Sequence, residues 1–286
     1  MRYCGRDFTA AELQDIQNLI ATHPDASRAA LSRCVCELLH WYRPNGDFKE
    51  MSCRVAMLRM QDDGLLKLPP PKNSNNNGKP YLLHSKKTDV NPASLEVPAT
   101  AFSSLQVLPV QGKKQSALWN EYIQRYHYLG YAPVPGDQIR YSVQLHGQVL
   151  ALLSFRAAVW KTAPRDHFIG WNPQQKKKNL HLIVNNARFL ILPWVHAPNL
   201  ASRVLSMAAR RIMTDWRQRY HYAPVLMETF VETPRFCGTC YKSANWIYLG
   251  ETKGVGRLGN MKKPELPIKT IWVYPLSKNF RLQLCS

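Results

Sequence analysis

The chain has 286 residues, 45% of them apolar, and a formal net charge of +19. That length fits a main domain plus a small one, with enough apolar content for a sizeable core. No apolar run approaches a membrane span and no charged-then-apolar leader follows Met1, so a soluble, cytoplasmic chain with no membrane partner is expected.

The charge is unevenly placed. Residues 1–70 hold nine Lys/Arg and nine Asp/Glu, whereas residues 71–286 hold 29 against 10, which is the whole surplus. A phosphate backbone is the commonest partner of such a surface, so the larger, C-terminal part is expected to grip DNA itself. Of the seven cysteines, Cys237-Gly-Thr-Cys240 forms a lone CxxC. A structural zinc site wants two such pairs, so reduced thiols are expected.

In chain order, Thr9 with Glu12 at the box position opens a helix whose stripe is Leu13, Ile16 and Ile20. Asp25 or Ser27 opens a second helix through His40, with Leu31, Val35, Leu38 and Leu39 inward. Pro44-Asn45-Gly46 is a turn. A third helix runs from about Asp47 to Asp63, with Met51, Val55 and Leu58 on its buried face, and Gly64 stops it. Leu65–Leu68 reads as a short strand. Three helices and a strand suggest an N-terminal winged helix-turn-helix over residues 1–70. Its third helix would enter the major groove, with Lys49, Ser52, Arg54 and Arg59 as the DNA contacts. A protein-interaction module with the same buried stripes is the competing reading.

Residues 71–112 are taken as a linker, rich at first in Pro, Asn and Gly. The core domain, 113–286, begins with a helix over Ala117–Tyr126 that ends at His127-Tyr128-Leu129-Gly130. Ile139–Leu145 and Gln148–Phe155 form a hairpin around His146-Gly147. Residues 160–171 read as irregular. Lys176, Lys177 and Lys178 form an exposed cationic run. Leu180–Val184 and Phe189–Val195 read as two strands separated by Asn185–Arg188. Asn199 caps a long helix whose buried face is Leu200, Val204, Ala208, Ile212 and Trp216. Arg210 and Arg211 lie on its cationic side.

The stretch Leu226–Asn260 organises the rest. An apolar strand carries Glu228 and ends in Glu232. A short helix around Tyr241–Trp246 and a strand at Ile247–Leu249 follow. A basic tail then carries Lys253 and Arg257, with Lys262 and Lys263 beyond. A last strand is expected over Ile268–Tyr274. A buried strand with acids beside a cationic loop suits a site that handles a polyanion. A core strand with a solvated loop is the plainer reading.

The order of these elements resembles the acetyltransferase (GNAT) fold, so the fold class is α+β, a winged helix followed by a GNAT-like mixed sheet. The cofactor loop of that fold carries glycines that cradle a pyrophosphate. Its counterpart here, Pro193–Ser202, has none, and Pro198 removes an amide donor. A second resemblance rests on His127-Tyr128-Leu129-Gly130, Ile169-Gly170-Trp171, Asn186–Leu190, Asn199–Ser202, Glu228–Val231, Gly238–Trp246 and Gly250-Glu251-Thr252. In order and spacing these resemble the Druantia anti-phage system protein DruA family. That resemblance implies a place in phage-defence islands or mobile elements, with other defence or mobile-element proteins as partners. A homodimer is also allowed for.

Three chemistries follow. In the first, the protein is transposase-like and cuts or joins DNA strands. Glu228 and Asp166 would hold Mg²⁺, with Glu232 and Glu251 as further acids. Tyr241 is an alternative nucleophile, and Asn245 would orient the phosphate. The competing readings are a buried salt bridge from Glu228 to a helix arginine and a core tyrosine. In the second, the protein binds DNA without catalysis and recruits defence partners. In the third, it is an acyltransferase holding coenzyme A at the 193–202 loop.

Overall fold

A computed structural model describes residues 1–43, 46–71, 93–134, 136–254 and 267–286. The chain divides into two compact units, Met1–Pro80 and Tyr81–Ser286.

In the first unit, β1 (Arg2–Tyr3) pairs antiparallel with β2 (Arg6–Asp7). Helix α1 (Ala10–Thr22) starts at the expected capping box. The Glu12 amide donates to Thr9 Oγ1 at 3.1 Å, and the Thr9 amide to the Glu12 carboxylate at 2.9 Å. Such a cap stabilises a helix by about 1 kcal/mol. Ser27, not Asp25, caps α2 (Arg28–Leu38). Helix α3 (Glu50–Asp62) ends just before Gly64, whose φ of +74° suits a glycine stop. Ile16, Leu31, Val35, Cys53, Met57 and Met60 make the core.

Three expectations for this unit are corrected. The buried face of α3 is Cys53, Ala56, Met57 and Met60, while Met51 and Val55 are exposed. The helix carries two apolar stripes about half a turn apart; the core takes the one with Cys53, Ala56, Met57 and Met60, and Leu58 of the other packs half-buried at its edge. Leu65–Leu68 is not a strand. It is extended chain that buries Leu66 and Leu68 against the helices, and no strand among the described residues pairs with it. Leu38, expected inward, is also exposed. Pro44 and Asn45 of the expected turn lie outside the described residues.

The second unit is built on a seven-stranded mixed sheet. In chain order its strands are β4 (Gln106–Pro109), β5 (Gln138–Leu145), β6 (Gln148–Ala157), β7 (Ile183–Ile191), β9 (Leu226–Glu232), β10 (Ile247–Glu251) and β11 (Lys269–Pro275). The spatial order is β10-β11-β9-β7-β6-β5-β4. Every neighbouring pair is antiparallel except β7 and β9, which run parallel over three residue pairs and then part. Along the chain, the main strands and helices follow one another in the order read from the sequence. Beside the sheet, β3 (Leu95–Glu96) pairs with β8 (Val195–His196).

Helix α7 (Leu200–Tyr220) connects the two parallel strands, as a parallel crossover requires. Its predicted stripe, Leu200, Val204, Ala208, Ile212 and Trp216, is wholly buried. Alternate strand residues reach opposite sides of the sheet. Leu153, Phe155, Val184 and Met227 pack in the cluster of α7. Leu152 meets Trp119 and Ile123 of α4 (Gly112–Tyr126). Ile183, Leu226 and Val273 meet Ile169 of α5 (Ala163–Ile169), Trp171 before α6 (Pro173–Asn179), and Phe280 of α9 (Phe280–Leu284). The short helix α8 (Thr239–Ser243) carries Tyr241 on the α7 side.

Several boundaries differ from expectation. The linker expected to run to residue 112 gives way earlier, because β3 and β4 already belong to the second unit. Residues 160–171, read as irregular, contain α5. The lysine run lies on α6, whose first turn is closed by an Asn172–Gln175 capping box. Asn199 precedes α7 in the left-handed region, φ +65°, and its side chain makes no cap bond. The segment Asn185–Arg188, read as a break, lies within one strand.

That strand carries a bulge. Asn186 pairs with Phe155 and Arg188 with Ser154, leaving Ala187 as the extra residue. Two residues that ordinary alternation would place on one face are thereby sent to opposite faces.

Candidate functional site

The bulge in β7 makes two polar clusters, one on each side of the sheet. On the α7 side, Tyr241 Oη donates to Asn186 Oδ1 at 2.9 Å. Thr229 Oγ1 donates to the Asn186 carbonyl at 3.1 Å and approaches Tyr241 Oη at 3.4 Å. Asn186 Nδ2 donates to the carbonyls of Ser154 and Arg188. These side chains close the gap where β7 and β9 part. Tyr241 is buried, and burial pushes its phenol well above the ordinary range.

On the other side, Arg188 Nε donates to the Gly130 carbonyl at 3.2 Å, tying β7 to the turn after α4. Arg156 of β6 is near enough that, with burial, it lowers the pKa of Arg188. Beyond β9, the Arg235 guanidinium lies 4.8 Å from the centre of the Tyr128 ring and 5.8 Å from that of the exposed Phe236. The Tyr128 and Phe236 rings are 5.2 Å apart. Burial and the charge of Glu232 raise the Tyr128 phenol.

Next to Tyr128, burial and the charges of Arg188 and Arg235 lower His127 to about 4, so at neutral pH the ring is uncharged. Its Nδ1 accepts from the Leu129 amide at 3.2 Å, which places the ring proton on Nε2. His127 is therefore a donor there, not a base. The cluster offers cationic and aromatic surface for an anion with flat, polarisable groups, and no nucleophile–base pair is assembled in it.

On the same face, Arg156, Asn185 and Glu228 stand side by side on β6, β7 and β9. Glu228 is fully buried. One carboxylate oxygen accepts from the Val159 amide at 2.9 Å, and the other from Arg165 Nη1 at 2.8 Å. Arg165 is also fully buried. Its Nη1 donates to the Val159 carbonyl at 2.7 Å and its Nη2 to that of Trp160 at 3.4 Å. Its Nε and Nη2 also donate to Asp166 Oδ1, at 3.0 and 2.7 Å. Five N–H groups of the guanidinium thus find acceptors. Asp166 further accepts from Trp171 Nε1 at 3.2 Å and from Lys176 Nζ at 2.6 Å. Burial raises Glu228 even though Arg165 opposes the shift.

The structure brings Glu228 and Asp166 together, but on a shared guanidinium. The cation between them is Arg165, and this donor set leaves no centre that fits Mg²⁺. No group of three or more His, Cys, Asp or Glu side chains is placed to hold a metal among the described residues. Glu232 is half-buried at the end of β9. Tyr241 lies across the sheet from Glu228, and Asn245 is exposed after α8 with φ +61°.

Of the expected DNA contacts, Lys49 and Ser52 are half-buried at the start of α3, Arg54 is paired with Glu50, and Arg59 is exposed. Lys176 is spent on Asp166, while Lys177 and Lys178 are exposed on α6. Arg210 is exposed, and Arg211 is bound to Asp215 at 2.6 Å. Lys253 is exposed past β10, and Glu251 on that strand is exposed too. Arg257, Lys262 and Lys263 lie outside the described residues. His127, Tyr128, Arg165, Arg188 and Arg235 carry the geometry but received no role from the sequence. The quoted motifs contained His127, Tyr128 and Arg188, and what was missing was the bulge that aims Arg188 at the turn after α4.

The segments that carry the family resemblance therefore meet: Gly130 with Arg188, Asn186 with Thr229 and Tyr241. The family model for Druantia protein DruA matches residues 60–263. The chain belongs to the DruA family. No curated protein matches it. Solved structures similar to this DruA-family chain include the ribosomal-protein-S18-alanine N-acetyltransferase of Escherichia coli. It is 7% identical, over 60% of this chain and 94% of that one, with a TM-score of 0.38. The AAC(6')-Ib complex with ribostamycin and coenzyme A is 11% identical, over 60% and 93%, with a TM-score of 0.41. An N-acetyltransferase of Staphylococcus aureus Mu50 is 11% identical, over 60% and 99%, with a TM-score of 0.37. Likeness at that distance says nothing of acetyl transfer by the DruA-family chain. No helix among its described residues is long and apolar enough to cross a membrane.

Proposed function

We propose that this protein is the DNA-holding component of a Druantia-type anti-phage system, gripping the sugar-phosphate chain with its larger unit and recruiting partner proteins to it. The observation that carries this reading is where the acids of that unit are used. Glu121 pairs with Arg125, Asp215 with Arg211, and Asp166 and Glu228 with Arg165. Asp137 accepts from Tyr222. Acids spent internally leave the cationic surplus of residues 71–286 for an outside anion, and Lys177, Lys178, Arg210, Arg217 and Arg219 are exposed. In the smaller unit, α3 presents Met51, Val55 and Arg59 outward, and we assign it to the major groove.

The same geometry argues against strand cleavage by the sequence-nominated residues. Glu228 and Asp166 are committed to protein donors, and Tyr241 is a buried hydrogen-bonding tyrosine. The test is binding of labelled DNA across a salt series, with Mg²⁺ present. We expect steep salt dependence, with the logarithmic slope falling by about 0.9 for each phosphate contact removed, and intact DNA. Charge reversal at Lys177 and Lys178 should weaken binding to every sequence, while Arg59→Ala should alter sequence preference. Nicking or joining that disappears in Glu228→Gln would overturn the non-catalytic reading. Acyl transfer, the third chemistry considered from the sequence, gains no support from the geometry of the site. Calorimetric titration with coenzyme A tests it, and tight binding lost on altering the 193–202 loop would establish it.

A further inference from the structure

The loop between β6 and α5 holds the chain's most exposed tryptophan. Trp160 is 52% exposed and the adjacent Val159 37%, while the other seven tryptophans are buried or half-buried. An indole left in water forgoes much of the favourable burial that its large apolar area would bring. Chain slack does not explain the exposure, because the backbone beneath it is tightly held. The Val159 amide donates to Glu228, the Val159 carbonyl accepts from Arg165 Nη1, and the Trp160 carbonyl accepts from Arg165 Nη2. The Glu228–Arg165 pair, both members fully buried, is thus the mount of this loop.

Charge around the indole is ordered as well. Lys176 Nζ lies 5.4 Å from the ring centre, and its other contact is Asp166 at 2.6 Å. Within the mount, Arg165 and Lys176 balance Glu228 and Asp166. Lys161, next to the indole in the chain, and Lys177, next to Lys176 on α6, add exposed positive charge that this balance leaves over. An exposed aromatic ring on a firmly held backbone, with one ammonium over its face and further lysines adjacent in the chain, is complementary to a flat base on a phosphate chain.

We propose that Trp160 is a stacking platform for an unpaired nucleobase, with Lys161 and Lys177 taking the adjacent phosphates, so that the protein binds single-stranded DNA at this loop. The inference rests on the DNA-holding reading and narrows it to strands whose bases are open. In a duplex the bases face one another and present no free ring to the indole, so duplex binding should not use Trp160.

The test compares a single-stranded oligonucleotide with the duplex of the same sequence, by fluorescence anisotropy on the full chain. Trp160→Ala should weaken single-strand binding by roughly 5- to 150-fold, the range of base stacking on aromatic side chains. Duplex binding should change less than about twofold, and the salt slope should stay the same, because no charge is removed. Trp160→Phe should restore most of the loss. Lys177→Glu should weaken both substrates and flatten the slope. The proposal is overturned if Trp160→Ala leaves single-strand binding intact, or if it weakens both substrates equally. If the unaltered chain binds neither DNA, the DNA-holding reading fails as a whole. If it binds both and Trp160→Ala is silent, the stacking proposal alone fails.

Discussion

The buried Glu228–Arg165 pair gives the sharpest test of the structure. Arg165→Met fills a similar volume with an apolar side chain. It leaves Glu228 with only the Val159 amide and strips partners from the Val159 and Trp160 carbonyls. Removing one member of a buried ion pair costs about 3–5 kcal/mol, because the remaining charge is uncompensated. With a urea dependence of roughly 2 kcal/mol per molar, the unfolding midpoint of the larger unit should fall by about 1.5–2.5 M. Tryptophan fluorescence reports on that unit, which holds every tryptophan but Trp41.

The double variant Arg165→Met/Glu228→Leu removes both charges. Apolar replacement of a buried pair is often neutral, so the double loss should be smaller than the summed single losses by about 1–3 kcal/mol. The Val159 and Trp160 backbone groups stay unpaired in the double variant, so recovery should be incomplete. The reasoning is refuted if Arg165→Met costs under about 1 kcal/mol, or if the two losses add to within about 0.5 kcal/mol. Either result would free Glu228 for a role other than holding the loop.

Three further outcomes follow. Gly238 has φ +71°, and a Cβ there would sit 2.9 Å from the Trp272 ring. Gly238→Ala should therefore lose about 1–3 kcal/mol in thermal unfolding, and an unchanged melting temperature would show that the ring yields. His127 is lowered to about 4 from 6.5, so between these values the unfolded chain binds more protons and stability falls as pH drops from 6.5 towards 4. Discounted for its partial exposure, the loss should be about 1–2 kcal/mol. His127→Asn, whose Oδ1 can still accept from Leu129, should flatten that limb, and an unaltered limb would assign it to other groups. Tyr241→Phe should cost about 1–2 kcal/mol through the lost bond to Asn186 and leave DNA binding unchanged. Lost DNA processing at full stability would instead make Tyr241 a nucleophile.

Elements with one dominant period were legible in the sequence. The α7 stripe recurs every fourth residue, and all five positions are buried. The Thr9–Glu12 box and the hairpin around His146-Gly147 carry local chemistry that needs no tertiary partner. Helix α3 was legible as a helix but not in its facing. Its apolar residues occupy two stripes, and periodicity alone does not say which of them meets the tertiary partner. The strand expected over Leu65–Leu68 fails for a related reason. Alternation marks which residues turn inward, and Leu66 and Leu68 do, but a strand also needs a neighbour to pair with.

The site was harder to read because a charged residue in an apolar run has the same sequence signature whether it is catalytic or structural. Glu228 shows what decides between the two. A carboxylate poised for a metal or a substrate needs an oxygen lone pair that a ligand can reach, and Glu228 is fully buried. Here one oxygen belongs to a backbone amide and the other to a guanidinium whose own N–H groups are all taken. No periodicity rule could supply that count, because its partners come from a loop 69 residues away and a helix 63 residues away. The extra residue at Ala187 has a similar effect in β7. It turns Arg188 towards His127 and Tyr128, and Asn186 towards Tyr241. One inserted residue thus separates a closed, hydrogen-bonded seam from a half-buried cationic and aromatic cluster on the opposite face of the sheet.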